Sequence, residues 1–209
     1  MSFLENLHAL RDRARRDGAR RTVARAAEVL RERLIQPWEI IYWLPAASVA
    51  RIDPPANGRF RVVRSLDELG ARERDEVAGR LGAASTAVCE SRLAQGCELH
   101  LLFLGEDLAA SRFVIWGSVT PFQNVVLTER DTMGLDVRVE PDLRGRGLAP
   151  LFFSISIQDL ASRGCDRVFA TVAVHNVRSI KTLERVGFRP LLRCRVERGR
   201  YRYDRTLIR

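Results

Sequence analysis

Residues 139–150 read Val-Glu-Pro-Asp-Leu-Arg-Gly-Arg-Gly-Leu-Ala-Pro. A strand-like stretch, 135–139, ends at this run, and a helical pattern with Leu151, Phe152, Ile155 and Leu160 along one face follows it. Strand, glycine-arginine loop and helix start together suit an anion. The first amides of a helix have no internal partner and sit at the positive end of its dipole. Glycines let the backbone curl so that several N–H groups converge on one phosphate. Arginine adds fixed charge and forked donors. Arg144, Gly145, Arg146, Gly147, Leu148 and Ala149 are therefore the expected cradle for a phosphate or pyrophosphate. A dinucleotide fingerprint is excluded because Pro150 stands where G-x-G-x-x-G needs its last small residue. A P-loop is excluded because Lys181, the only lysine, lies far from the glycines.

A second segment carries a complementary pattern. Residues 167–174 are β-branched and aromatic, as a buried strand is. Asn176 then reads as a helix N-cap, Ile180, Leu183 and Val186 as a helical stripe, and Gly187 as the stop. The pairing of Arg144-x-x-Gly147-x-Ala149 with Asn176, Ser179 and Gly187-Phe188 resembles the two signatures of the GNAT family of N-acetyltransferases. The resemblance is strong over 133–191, extends back to Glu98, and is absent from the first third of the chain. It implies acetyl-CoA as acyl donor and no metal. The pyrophosphate would rest on the 144–149 loop, and the pantetheine arm would pair with the strand edge at Val137 and Val139 as an added strand does. The Val139 N–H would meet the thioester oxygen. Asn176 would hydrogen-bond the cofactor arm, with Ser179 nearby.

An amine acceptor must lose a proton before or during its attack, so a carboxylate or imidazole within reach is needed. Simple alternation puts Asp136, Arg138 and Glu140 on one face of the strand and Leu135, Val137 and Val139 on the other. Asp136 is the first candidate for base or amine binder and Glu140 the second; Glu98 and His100 share a face on an earlier strand. Each also has a bland reading, Asp136 as the partner of an arginine and Glu140 as an exposed strand end. Many members of the family carry a tyrosine where this chain has Leu183, so no side-chain acid for the leaving thiolate carries over. His175, Tyr201 or water would have to serve. The form Arg-Gly-Arg-Gly-Leu-x-Pro resembles members found with glycan pathways and points to a small amine such as an amino sugar. A protein or peptide amine is the alternative acceptor, and a CoA-binding regulatory module without turnover the alternative function.

The elements that must position these residues form a mixed, mostly antiparallel sheet flanked by helices, an α/β fold. Strands are expected over 40–44, 59–63, 98–104, 112–119, 133–139 and 167–174, with a terminal hairpin over 191–197 and 201–208. Helices are expected over 67–83, 85–94, 148–163 and 176–186. Residues 1–36 read as a basic amphipathic arm and 37–209 as the acyl-CoA-binding domain. The arm would pack on its own domain or on a second copy, which makes a homodimer an expected assembly. Its apolar face is smaller than a peripheral membrane anchor needs. No apolar run spans a bilayer, and the first residues lack the apolar core of a secretory signal. A formal charge of +9 invites a nucleic-acid partner. Nearly every basic residue is arginine, however, spread along the chain, and solvated faces account for the clusters at 11–25 and 193–205 better than a polyanion does. Cys89, Cys97, Cys165 and Cys194 have no metal-ligand spacing and suit buried free thiols in a cytoplasmic protein.

Overall fold

A computed structural model describes residues 38–81, 83–117, 125–197 and 200–204. The expected arm over 1–36, residues 118–124 and the end of the terminal hairpin lie outside the described residues. Eight strands, β1 (Glu39–Pro45), β2 (Gly58–Val63), β3 (Glu98–Leu104), β4 (Asp107–Trp116), β5 (Asp131–Val139), β6 (Arg167–Ala173), β7 (Arg189–Glu197) and β8 (Arg200–Asp204), form one sheet. Their order is β2-β3-β4-β5-β6-β1-β7-β8. Every pairing is antiparallel except that of β5 with β6. The four described helices are α1 (Ala71–Leu81), α2 (Ala83–Ala94), α3 (Leu148–Ser162) and α4 (Val177–Val186).

Apolar patterning assigns the helices to two faces. Val77 of α1 and Cys89 and Leu93 of α2 pack on Leu99, Leu101, Phe103 and Phe113. On the other face Phe152 and Ile155 of α3 meet Leu102 and Ala110, while Phe153, Ile157 and Leu160 reach Tyr42, Val168 and Ala170. Alternation along β3 explains the split: odd residues face α1 and α2, even ones face α3. The even positions include Glu98 and His100, both buried.

Several boundaries differ from the periodicity reading. The helix expected over 67–83 divides into a 3-10 turn, Leu66–Glu68, and α1. Ser65 caps that turn and the Glu68 side chain closes a capping box. β4 begins at Asp107 and β5 at Asp131, because Leu108 to Ala110 and Thr132 pair across the ladders. β1 is where the sequence puts a strand, yet it sits between β6 and β7.

Candidate functional site

β5 and β6 pair in parallel only from Asp131↔Arg167 to Gly134↔Ala170. Beyond that rung they separate and leave a cleft of about 360 Å³. Val137 and Val139 of β5, Thr171 to Ala173 of β6, Ala149 and Phe153 of α3, and Asn176, Ser179, Thr182 and Leu183 of α4 line it. Its depth is readable from the elements. Ala149 and Ser179 belong to first helical turns; Phe153 and Leu183 lie one turn deeper, beside the Gly134–Ala170 rung.

A bulge shapes the β5 wall. Ser111 of β4 stands opposite Arg138 and Phe113 opposite Leu135, so Asp136 and Val137 together oppose Arg112. Asp136 has φ 47°, the only described non-glycine residue with positive φ. Asp tolerates this conformation better than most residues, and such departures gather at binding sites. The bulge overturns the simple alternation: Leu135 packs with Phe113 on the α1–α2 face, whereas Val139 packs with Phe152 on the α3 face. It leaves the Val139 edge open. The Glu140 N–H donates to Ala109 O of β4 at 2.9 Å, so Val139, one residue earlier, turns its N–H and C=O toward the gap.

The loop from β5 to α3 is built for close approach. A 3-10 turn, Pro141–Leu143, follows the strand, and Gly145 (φ 80°) and Gly147 (φ 77°) adopt the left-handed conformation that glycine takes without cost. Arg144 Nε donates to Val139 O at 2.9 Å and ties the loop back to β5. Gly147 is the N-cap of α3, and no side chain caps that helix. The amides of Leu148 and Ala149 thus have no side-chain cap, and Pro150 has no amide to leave unpaired. In α4 the Asn176 side chain accepts from the Ser179 N–H at 3.2 Å, and Gly187 (φ 106°) ends the helix.

Asp136, Val137, Val139, Ala149, Asn176 and Ser179 all reach the cleft. Arg144 to Leu148 adjoin its mouth through the chain. Glu140 does not line it: the side chain is buried between Arg138 Nε at 3.0 Å and Arg80 Nη1 at 3.8 Å. Burial pushes its pKa up, against the pull of Arg138 and Arg80. Asp136 pairs with Arg92 of α2, whose guanidinium lies over the Phe113 ring at 4.8 Å. Glu98 and His100 are also away from the cleft. Glu98 accepts from Arg64, Arg163, Trp116 and His100, and Ser156 Oγ lies 2.7 Å from His100 Nδ1. Burial alone would raise the Glu98 pKa, but the hydrogen bonds win and hold it well below the carboxylate range. Tyr201 lies on β8 with a side chain outside those described. Sequence reasoning missed Gly134, Phe153 and Thr182 as lining residues and Arg92 as the Asp136 partner. A lone arginine, Arg112, inside the apolar β4 run was a readable signal.

The model of the acetyltransferase (GNAT) family matches residues 69–188, more than half of the chain. An acetyltransferase from Colwellia psychrerythraea superposes with a TM-score of 0.52 at 15% identity, covering 74% of this chain and 53% of its own. A tandem GNAT protein from the clavulanic acid biosynthesis pathway gives 0.52 at 15%, covering 80% of this chain and 51% of that one. A glucosamine N-acetyltransferase region of a fungal multi-domain β-N-acetylglucosaminidase gives 0.54 at 15%, covering 73% and 20%. The chain thus spans about half or less of these proteins. No curated protein matches it.

Proposed function

The chain belongs to the acetyltransferase (GNAT) family, and from that premise we propose that it transfers an acetyl group from acetyl-CoA to a primary amine in the cytoplasm. The observation that carries the reading is the parting of β5 from β6 beyond Gly134 and Ala170, with two helix N-termini at the mouth. Arg144, Gly145, Arg146, Gly147, Leu148 and Ala149 hold the pyrophosphate, through amides, charge and the α3 dipole. The pantetheine amides bond along the Val137–Val139 edge, and Asn176 and Ser179 meet the arm from α4. The Val139 N–H faces the thioester oxygen and stabilises the oxyanion of the tetrahedral intermediate. Asp136 receives the amine and its proton, directly or through water, once the acceptor displaces Arg92. Glu140 fixes the strand end between Arg80 and Arg138. The acceptor is a small amine such as an amino sugar; the glycan-like loop sequence and the glucosamine-acting relative support this class.

A second reading, a CoA-binding module without turnover, draws on two observations: the cleft-lining position in the second turn of α4 is the apolar Leu183, and Asp136 is already ion-paired. Acetyl-CoA at about 100 Kd should raise stability by about 2.7 kcal/mol, an upward shift of several degrees in Tm. No shift removes both readings. Thiol release in the presence of glucosamine, a polyamine or a lysine peptide separates enzyme from module and small amine from peptide. Gly147→Glu puts a carboxylate on the anion site; unchanged CoA affinity would overturn the loop assignment.

A further inference from the structure

Arg112 stands opposite the bulge, completely buried, and its Nε, Nη1 and Nη2 have no hydrogen-bond acceptor among the described residues. The guanidinium lies over the Phe153 ring, with Cζ 5.0 Å from the centroid. It also fills the space a side chain at Gly134 would take, since a Cβ built there collides with Nη2 and comes within 2.9 Å of Cζ. Gly134 and Phe153 both line the cleft, at its deep end. A cation is therefore set directly behind the cleft wall formed by Gly134 and Phe153.

Among the described residues no acidic side chain pairs with Arg112. Glu98 of β3 is engaged by Arg64 and Arg163, and Asp159 of α3 by Arg163. His100 of β3 is kept neutral, its pKa lowered by burial and further by Arg112. Burial raises the pKa of the Cys165 thiol. Burial lowers the Arg112 pKa to about 10, which leaves it protonated at neutral pH. Among the described residues Asp136 is the single ionisable side chain lining the cleft, and it is offset by Arg92. Among the described lining residues the other side chains that carry an O–H, Thr171, Ser179 and Thr182, are alcohols far less acidic than a thiol, and Leu183, at the depth of Phe153, is apolar.

We propose that Arg112 supplies the fixed positive field that lets coenzyme A depart as a thiolate, without a general acid. This rests on the cleft being the acyl-CoA site. The amine nitrogen forms a bond to the thioester carbon and the carbonyl electron pair moves to oxygen. On collapse the C–S bond breaks, its electron pair stays on sulfur, and the amine proton passes to Asp136 or water. Arg112 touches neither substrate nor cofactor; it acts through space, across Gly134. As a general magnitude, a unit charge about 10 Å away at an effective dielectric of about 20 moves a pKa by about one unit.

The test needs no acceptor. The ultraviolet absorbance of the thiolate is followed while the complex with CoA is titrated, with the desulfo-CoA complex as blank. Burial pushes all four protein thiols up, Cys89 to about 11 and Cys194 to about 12, so the signal below about pH 9 comes from CoA. The bound thiol should titrate about one unit below free CoA. Arg112→Lys should keep the shift. Arg112→Met should lose it while the Kd for CoA stays within about threefold, an outcome that a purely structural role does not produce. A bound wild-type thiol titrating at or above free CoA overturns the proposal even if Arg112→Met fails to fold, as does an Arg112→Met complex with the wild-type thiol pKa. Failure of the wild type to bind CoA overturns the reading of the cleft and this proposal with it, whereas binding with an unshifted thiol overturns only the role of Arg112.

Discussion

Gly134 and Arg112 illustrate how far single residues are coupled here. Gly134 has an ordinary strand backbone, so alanine is tolerable there except for the guanidinium already occupying its side-chain space. That guanidinium is fully buried over the Phe153 ring and would have to shift to make room. Gly134→Ala should cost about 1–3 kcal/mol, and the double variant with Arg112→Met should recover part of it, a non-additivity visible in thermal unfolding. The Glu98–His100–Ser156 group sets acid sensitivity. The His100 pKa is lowered in the fold, so its contribution is present above about pH 6.5 and is lost as pH falls through the unfolded value toward the folded one. The Glu98 pKa is also lowered, so its contribution is present above about pH 4.3 and fades as pH falls below it. Tm should decline below about pH 6.5 and more steeply below about pH 4.3; His100→Gln should remove the first part of that slope. At this scale the turn made by Gly145 and Gly147 and the Asn176 cap on Ser179 were legible, because glycines and capping side chains act on the neighbouring backbone. Arg112 and the Arg92–Asp136 pair were not, because a side chain's partner depends on the register of another strand or the docking of another helix.

The edge of β5 is the element on which the proposed chemistry turns. Val139 pairs in register with Ala110, yet its N–H faces the gap and adds nothing to the β4 ladder. Val139→Pro should therefore leave Tm nearly unchanged and lower acyl transfer about 10²-fold by removing an oxyanion donor. A Tm loss of the size seen for a broken ladder would show that this N–H is structural. Strand β5 was predicted from its apolar run, and its bulge was not. Period-two reading assumes a regular pleat, and nothing in Leu135-Asp136-Val137-Arg138 marks which residue is the extra one until β4 is laid beside it. Helix α4 was read correctly at both ends, because Asn176 and Gly187 act on the neighbouring backbone.

For the whole molecule, the order of helices and strands was legible from alternating periods and turn residues. The order of strands across the sheet was not, since pairing partners are chosen by long-range packing. β1 makes the point: Ile41 lies opposite Thr171 on one side and Leu192 on the other. The structure also has a temporal side. With β2 to β5 made in between, a chain emerging from the ribosome presents β1 well before both of its partners. Until they arrive, Ile40, Ile41, Tyr42 and Leu44 have no sheet to join, and β6 and β7 cannot be bridged without them. Closing contacts so far apart in sequence slows folding. Refolding from denaturant should therefore show β1 among the last segments to gain amide-exchange protection, later than the β3–β4 hairpin, whose two strands meet across a two-residue turn. The strand that joins β7 and β8 to the rest of the sheet is, by its place in the chain, among the last to be locked, and a nascent chain depends on keeping that short apolar segment away from other partners until then.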